Sequence, residues 1–120
     1  AKSYDIEVTA FSPLGSISYE EIGGAEDKES LLKNEMIQSS AKELGISAAQ
    51  LILSWAINRG TAIVVKSIDE NRMKENLDAS KIELDQSILA QISALTLNQR
   101  YNDPGIFCEE AFNTFFPIYD

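Results

Sequence analysis

The chain has 120 residues, a formal net charge of −9 and no histidine. Its length fits one ordinary domain, and its 44% hydrophobic and 24% charged residues are normal for a soluble globular protein. The balance of 19 acidic against 10 basic residues argues against a nucleic-acid partner. Without histidine, the chain itself holds neither a Ser-His-Asp or Cys-His nucleophile system nor a zinc site built on histidine.

The single cysteine, Cys108, excludes an internal disulfide and fits a reducing compartment, so we expect a cytoplasmic protein. The sequence has no run of 18 apolar residues, so it predicts no membrane span. It also has no charged start followed by an apolar stretch, so it predicts no signal peptide. The chain begins with Ala1 and not with methionine, which fits either processing or a segment cut from a longer protein.

The first third of the sequence predicts one strand and a long connection. Residues 5–11 alternate apolar and polar side chains, which is typical of a strand. The stretch 12–16, Ser-Pro-Leu-Gly-Ser, is predicted to be a loop because Pro13 and Gly15 interrupt regular structure. Residues 17–33 are polar and acidic, and we expect a long exposed connection there.

Two helices and a second strand come next in the chain. A helix is predicted over residues 34–44, with Gly45 as its carboxyl-terminal stop. Residues 47–50, Ser-Ala-Ala-Gln, form a capping box that opens an apolar helix over 51–58. The continuous apolar run 61–65 predicts a strand buried on both faces, as in a parallel sheet.

The last predicted helices cover residues 69–79 and 84–95. The first is capped by Asp69 or Ser67, and the second by Asp85. The order strand, helices, strand, helix predicts an α/β fold with parallel strands. Because two parallel strands leave open edges, the chain either ends a larger α/β protein or needs a self or partner contact to cover them.

Polar side chains cluster where the second strand meets the next helix. Lys66 and Ser67 stand at the strand exit, and Arg72, Glu75 and Asn76 share one face of the helix. The amino end of a helix favours anions, and a lysine, a hydroxyl and an arginine together suit a phosphate monoester. Glutamate and asparagine beside them suit the edge of an amino-purine. Alternatively, the helix face is simply solvated and carries an internal ion pair.

The same two regions have purely structural interpretations. Ser67 and Asp69 would then act only as helix caps. The loop after the first strand offers Ser12, Ser16 and the backbone N–H of Leu14 to a phosphate, but a tight turn explains the same residues. Both interpretations stay open on the sequence pattern alone.

Three stretches resemble one protein family in order and spacing. They are VTAFSPLGS, SAAQLILSWAINRG and VVKSIDENRMKEN, and they look like the last third of an aldo-keto reductase. The pattern Lys-Ser-x-x-x-x-Arg-x-x-Glu-Asn is the most specific part. Within the aromatic tail, residues 96–120, the stretch 100–120 is similar to the tails of fungal NADPH-dependent aldehyde reductases, so the resemblance covers essentially the whole chain.

This resemblance implies the carboxyl-terminal part of a TIM (β/α)8 barrel in a single segment. Residues 1–60 would hold strand seven, its loop and helices, residues 61–95 strand eight and its helices, and residues 96–120 the terminal loop. It also implies NADPH as cofactor and an aldehyde or sugar-derived carbonyl as substrate. The loops after strands seven and eight are favoured phosphate sites in such barrels, which agrees with the physical interpretation.

The resemblance also implies roles for eight side chains. Ser12, Leu14 and Ser16 would hold the pyrophosphate of the cofactor. Lys66, Ser67 and Arg72 would hold its 2′-phosphate, and Glu75 and Asn76 would contact the adenine. Two positions depart from the family: Val65 stands where proline is usual, and Asp69 adds a negative charge near the phosphate site.

The family's catalytic aspartate, tyrosine, lysine and histidine have no counterparts in this chain, so the implied activity is that of a larger parent protein. In the tail, Phe107, Cys108 and Phe112 are candidates for the substrate pocket, while a flap packed across the barrel is the structural alternative. Cys108 alone is more typical of a packed small hydrophobe than of a nucleophile. The alternative function is a free-standing, non-catalytic nucleotide-binding or protein-interaction module.

Overall fold

A computed structural model describes residues 1–15 and 30–95, and beyond these residues 105, 109 and 111–114. Between residues 1 and 95, the described part of the chain forms two short strands, four α-helices and three 3-10 turns. The 3-10 turns are Lys2–Tyr4, Leu31–Lys33 and Ala79–Lys81. The remaining elements are β1 (Thr9–Phe11), α1 (Glu35–Leu44), α2 (Ala48–Asn58), β2 (Ala62–Val64), α3 (Glu70–Asp78) and α4 (Gln86–Ser93).

Helix α1 begins and ends through local chemistry that the sequence predicts. The Asn34 side chain accepts hydrogen bonds from the backbone N–H groups of Met36 and Ile37, which otherwise lack partners at a helix start. Gly45 ends the helix with a φ of 68°, a left-handed conformation that glycine adopts without steric cost. The prediction of a helix over residues 34–44 is therefore confirmed to within one residue.

The starts of the later helices differ in how they are capped. Ser47 and Gln50 form the predicted capping box in both directions. Helix α3 is capped by Asp69, whose Oδ1 accepts from the N–H of Arg72 at 2.9 Å, so Asp69 and not Ser67 is the cap. For α4 the predicted cap is wrong in part: Asp85 occupies the cap position, but only its backbone carbonyl bonds into the helix.

The two strands pair in parallel, as predicted. Thr9 lies opposite Ala62 and Phe11 opposite Val64. Each strand has only three residues, so the predicted spans 5–11 and 61–65 are too long. The reason is that each strand has a single hydrogen-bonding neighbour in the described part of the chain, and regular pairing ends where that neighbour ends.

The prediction that β2 is buried on both faces is wrong for this chain. Ala62 is exposed, Ile63 is half-buried and the Val64 side chain is 61% exposed. Parallel strands become buried when sheet neighbours and helices cover both faces, and the described residues supply a neighbour on one edge only. The apolar sequence of β2 is therefore not matched by burial among the described residues.

The core lies between helices α1, α2 and α4. Its buried apolar side chains are Ile37, Ala41, Leu51, Ile52, Leu84 and Ile92. Leu31 and Leu32 pack against this cluster, and Ser30 is buried. The prediction of an exposed connection over residues 17–33 is therefore wrong at its end, because Leu31 and Leu32 join the core. Residues 16–29 lie outside the described residues.

A polar seam on α2, made of Gln50, Ser54 and Asn58, ties this helix to the segments after β2. The three residues are four apart and therefore share one face of the helix. Gln50 Nε2 donates to the carbonyl of Glu75 at 3.3 Å, and Ser54 Oγ, which is fully buried, lies 3.0 Å from the carbonyl of Ala79. Asn58 bonds further along the chain, to residues 82 and 84.

None of the described helices is both long and apolar enough to cross a membrane.

Candidate functional site

A cleft of about 610 Å³ lies where both strands end. Five segments line it: the end of β1 with the loop after it, the exit of β2, one face of α3, the start of α2, and Leu32 from the turn before α1. Seven of the eight predicted cofactor-binding residues are therefore brought together there, namely Ser12, Leu14, Lys66, Ser67, Arg72, Glu75 and Asn76. The eighth, Ser16, lies outside the described residues. Their role in binding stays a prediction.

The loop after β1 is a tight turn that also faces the cleft, so the two interpretations of this loop are compatible. The backbone N–H of Gly15 donates to the carbonyl of Ser12 at 2.9 Å and closes the turn. Ser12 has a φ of 48°, which is uncommon for a residue with a side chain. Leu14 packs against the core cluster, and this contact anchors the turn beneath the cleft.

The exit of β2 turns directly into helix α3. The Ser67 hydroxyl accepts from the N–H of Asp69 at 3.1 Å, which forms a local turn, and the Asp69 carboxylate accepts from the N–H of Arg72. The structural interpretation of Asp69 as a helix cap is thus correct. Because its Oδ1 is directed toward the helix amides, part of its negative charge is compensated there.

Two cationic side chains of the cleft have no carboxylate partner among the described residues. Neither Lys66 nor Arg72 forms an ion pair in the described part of the chain, so the internal ion pair proposed for the face shared by Arg72 and Glu75 is absent from it. The lysine of α3 that does pair, Lys74, binds Glu70 at 3.0 Å and does not line the cleft. The cleft therefore holds two cationic groups with donors available to an anion.

The start of α2 forms a wall of the cleft that the sequence pattern did not indicate. Ser47 and Ala49 line this wall, while Gln50 bonds across to the backbone of Glu75 on α3. The capping-box pattern identified Ser47 and Gln50 as helix-start residues only. No local pattern indicates a contact between residues 25 positions apart, so this part of the site depends on tertiary structure.

The predicted substrate-pocket residues are not brought into the cleft by the described part of the chain. Phe107 and Cys108 lie outside the described residues. Phe112 is described, is 76% exposed and does not line the cleft. Packing of the tail is therefore not seen at Phe112, and its role in a substrate pocket stays a prediction.

The described residues contain no cluster of three or more acidic, cysteine or histidine side chains placed to bind a metal.

Comparison with known proteins identifies the class of protein. A sequence model of the Aldo/keto reductase family matches residues 1–96, which is most of the chain. Two parallel strands with helices between them, and a cleft at their carboxyl ends, are what a piece of an α/β barrel contains. The chain belongs to the aldo/keto reductase family, and its fold is part of the TIM barrel of that family.

Individual relatives agree with this assignment. The chain is 41% identical over 106 residues to an NAD(P)H-dependent D-xylose reductase from Scheffersomyces stipitis, covering 87% of this chain and 33% of that protein. It is 36% identical over 104 residues to a 4-dihydromethyl-trisporate dehydrogenase from Mucor mucedo, covering 86% and 32%.

Solved structures are similar over a comparable span. An aldo/keto reductase from Brucella melitensis matches with a TM-score of 0.61 and 32% identity, covering 77% of this chain and 30% of that one. MGS-M4, an aldo-keto reductase from a Medee basin deep-sea metagenome library, matches with a TM-score of 0.68 and 25% identity, covering 82% and 33%. The chain therefore spans about a third of the length of the curated relatives and solved structures that it matches.

Proposed function

We propose that this chain is the cofactor-binding segment of an NADPH-dependent aldo-keto reductase that reduces aldehydes or sugar-derived carbonyls to alcohols. The observation that carries the proposal is the cleft, where the exits of β1 and β2 meet and where Lys66 and Arg72 lack described carboxylate partners. A relative named NAD(P)H-dependent D-xylose reductase supports both the cofactor and the substrate class.

The donor set at the exit of β2 fits a 2′-phosphate. Arg72 offers a planar fork of donors and Lys66 a compact charge, and both are suited to phosphate oxygens. Ser67 would add a hydroxyl donor from the strand exit. The ribose of NADH has a 2′-hydroxyl, which offers no negative charge to Lys66 and Arg72. The presence of both cations therefore favours NADPH over NADH.

The remaining described groups fit the rest of the nucleotide. Glu75 and Asn76 lie one helical turn beyond Arg72 on the cleft side of α3, where the carboxylate accepts and the amide both donates and accepts, as an adenine edge requires. Ser12 and Leu14 of the turn after β1, with Ser16 beside them in sequence, would take the pyrophosphate.

The chain's contribution in this proposal is binding and orientation. When bound, the cofactor supplies the hydride that reduces the carbonyl carbon. The family's catalytic aspartate, tyrosine, lysine and histidine would come from the part of the relatives that this chain does not span. This segment would fix the adenosine end of the cofactor, so that the distant reactive end has a defined position.

Substitution of Arg72 tests the cofactor assignment. In the full-length protein, Arg72→Ala should weaken NADPH binding roughly 10- to 100-fold, the worth of a charge-assisted hydrogen bond, and NADH binding by less than about threefold. Isothermal titration calorimetry measures both. Lys74→Ala is the matched control, because it removes the same charge from the same helix at a position outside the cleft. Equal losses for the two cofactors would refute the assignment.

A second candidate function rests on exposed apolar side chains beside the sheet. Ile68 is 89% exposed, Leu77 68% and Val64 61%, and such side chains mark a contact surface when they are contiguous. Under the first proposal, the remaining strands of the barrel cover these side chains in a cytoplasmic enzyme, a compartment that the single cysteine fits. A free-standing interaction module would instead cover them by self-association or with a partner.

Mass and binding measurements separate the two candidates. Intact-mass analysis of the native product establishes whether it is the 120-residue species. If it is, and if NADPH fluorescence titration detects no binding at high micromolar cofactor, the interaction module is favoured. A longer product that binds NADPH supports the reductase.

A further inference from the structure

Gln50 makes two different contacts with the two ends of its side-chain amide. Its Oε1 accepts from the backbone N–H of Ser47 at 3.1 Å, which completes the capping box of α2. Its Nε2 donates to the carbonyl of Glu75 at 3.3 Å, which lies on α3. The same amide therefore fixes the start of one helix and binds the middle of the next.

These contacts join two walls of the cleft. The start of α2 lines one side through Ser47 and Ala49, and α3 lines the other through Arg72, Glu75 and Asn76. Helix α3 has no buried side chain of its own, so apolar packing alone does not set its distance from α2. Hydrogen bonds are directional, and a single one at this point limits how far the walls separate.

We infer that Gln50 is a positioning residue that sets the width of the adenosine end of the cleft. It would act through the backbone of Glu75 and so hold the side chains of α3 at the separation that a 2′-phosphoadenosine group needs. The inference rests on the proposed function, because it assigns the group that occupies this cleft. It predicts that Gln50 affects cofactor affinity without contacting the reacting atoms.

The side chain can be altered so that one contact is kept and the other lost. In Gln50→Glu the carboxylate still accepts from Ser47, and glutamate is itself a capping-box residue, so α2 keeps its start. The donor to the Glu75 carbonyl is lost. Gln50→Met removes both contacts without adding charge, because methionine has neither the amide donor nor the amide acceptor. Gln91→Glu is the matched control, because Gln91 is an exposed residue of α4 that does not line the cleft.

The experiment measures the binding of 2′,5′-ADP and of NADPH to the full-length variants, with kcat at saturating cofactor and the thermal midpoint. We expect Gln50→Glu and Gln50→Met each to raise both dissociation constants about three- to tenfold, the effect of one hydrogen bond. For Gln50→Glu the thermal midpoint should stay within about 2 °C of the parent, and for both variants kcat should stay unchanged. The loss in Gln50→Glu should persist at about 0.5 M salt, where the effect of an added exposed charge is screened.

The outcomes separate this inference from the function on which it rests. Unchanged dissociation constants in Gln50→Met, with a weakened Arg72→Ala variant, overturn the positioning role and leave the proposed function standing. Unchanged binding in Arg72→Ala overturns the proposed function itself. A loss in Gln50→Glu that vanishes at high salt, or that Gln91→Glu reproduces, shows a charge effect and also overturns the inference.

Discussion

The polar seam on α2 is predicted to carry a measurable share of stability, and Asn58 tests it best. Asn58 Nδ2 donates to the carbonyl of Ile82 at 2.9 Å, and its Oδ1 accepts from the N–H of Leu84 at 3.1 Å. Both bonds join α2 to a segment more than 20 positions away, and Leu84 belongs to the buried core. Removing this side chain takes both bonds away from the segment that leads into α4.

The magnitude is set by these two long-range bonds. At about 0.5–1.5 kcal/mol net for each, Asn58→Ala should lower the free energy of unfolding by about 1–3 kcal/mol. The upper part of that range applies if the N–H of Leu84 is left without a partner. Asn58→Asp should be at least as damaging, since it keeps the acceptor for Leu84 but directs a carboxylate at the carbonyl of Ile82.

Two measurements on the full-length protein check this prediction. Urea unfolding followed by far-ultraviolet circular dichroism gives the change in stability, and amide hydrogen exchange at Leu84 should speed up roughly 5- to 100-fold. Asn71→Ala is the control, because Asn71 is exposed on α3 and its side chain makes no hydrogen bond to a described residue. A loss below about 0.5 kcal/mol with unchanged exchange at Leu84 would refute the reasoning.

Two further predictions concern positions where one property can be changed alone. Gly45 has a φ of 68° and no atom within 4 Å of an added Cβ, so Gly45→Ala should cost about 1–2 kcal/mol through backbone strain alone, with Gly45→Asn milder in the same unfolding assay. Asp69→Asn keeps the cap acceptor and removes a charge near the proposed 2′-phosphate. It should therefore tighten NADPH binding about two- to fivefold by calorimetry with stability unchanged, whereas Asp69→Ala should destabilise α3 by about 1 kcal/mol. Weaker NADPH binding in Asp69→Asn would contradict the assigned electrostatics.

The helix starts and ends were predictable because their causes are local. Asn34, Ser47 and Asp69 each bond to a backbone group within three residues, and Gly45 ends α1 through its own φ. The strands were predicted in place but not in length. Strand pairing depends on a partner distant in sequence, and a period-two pattern does not tell how many partners are present.

The site divides in the same way. The position of Lys66 and Arg72 in the cleft was predictable, because the end of an apolar strand and the start of a capped helix are adjacent in sequence. That they bind an anion stays a prediction. The wall formed by Ser47 and Ala49 was not predictable, since it arises from the packing of α2 beside α3. The contact between Gln50 and Glu75 was not predictable for an additional reason. The capping box already accounts for a glutamine at this position, so the sequence pattern does not indicate a second role for it.

Stability and ligand contact are assigned to different helices in this segment. Helix α2 buries Leu51, Ile52 and Leu53 and therefore has a fixed position in the core. Helix α3 buries no side chain, although it carries three of the cleft residues. Its position depends on the seam from α2 and on the buried turn at Ala79 directly after it. A helix held in this way leaves its polar face to the ligand, because no core contact competes for those side chains. The polar face of α2 thus connects the core of this segment to α3, the helix that we propose binds the cofactor.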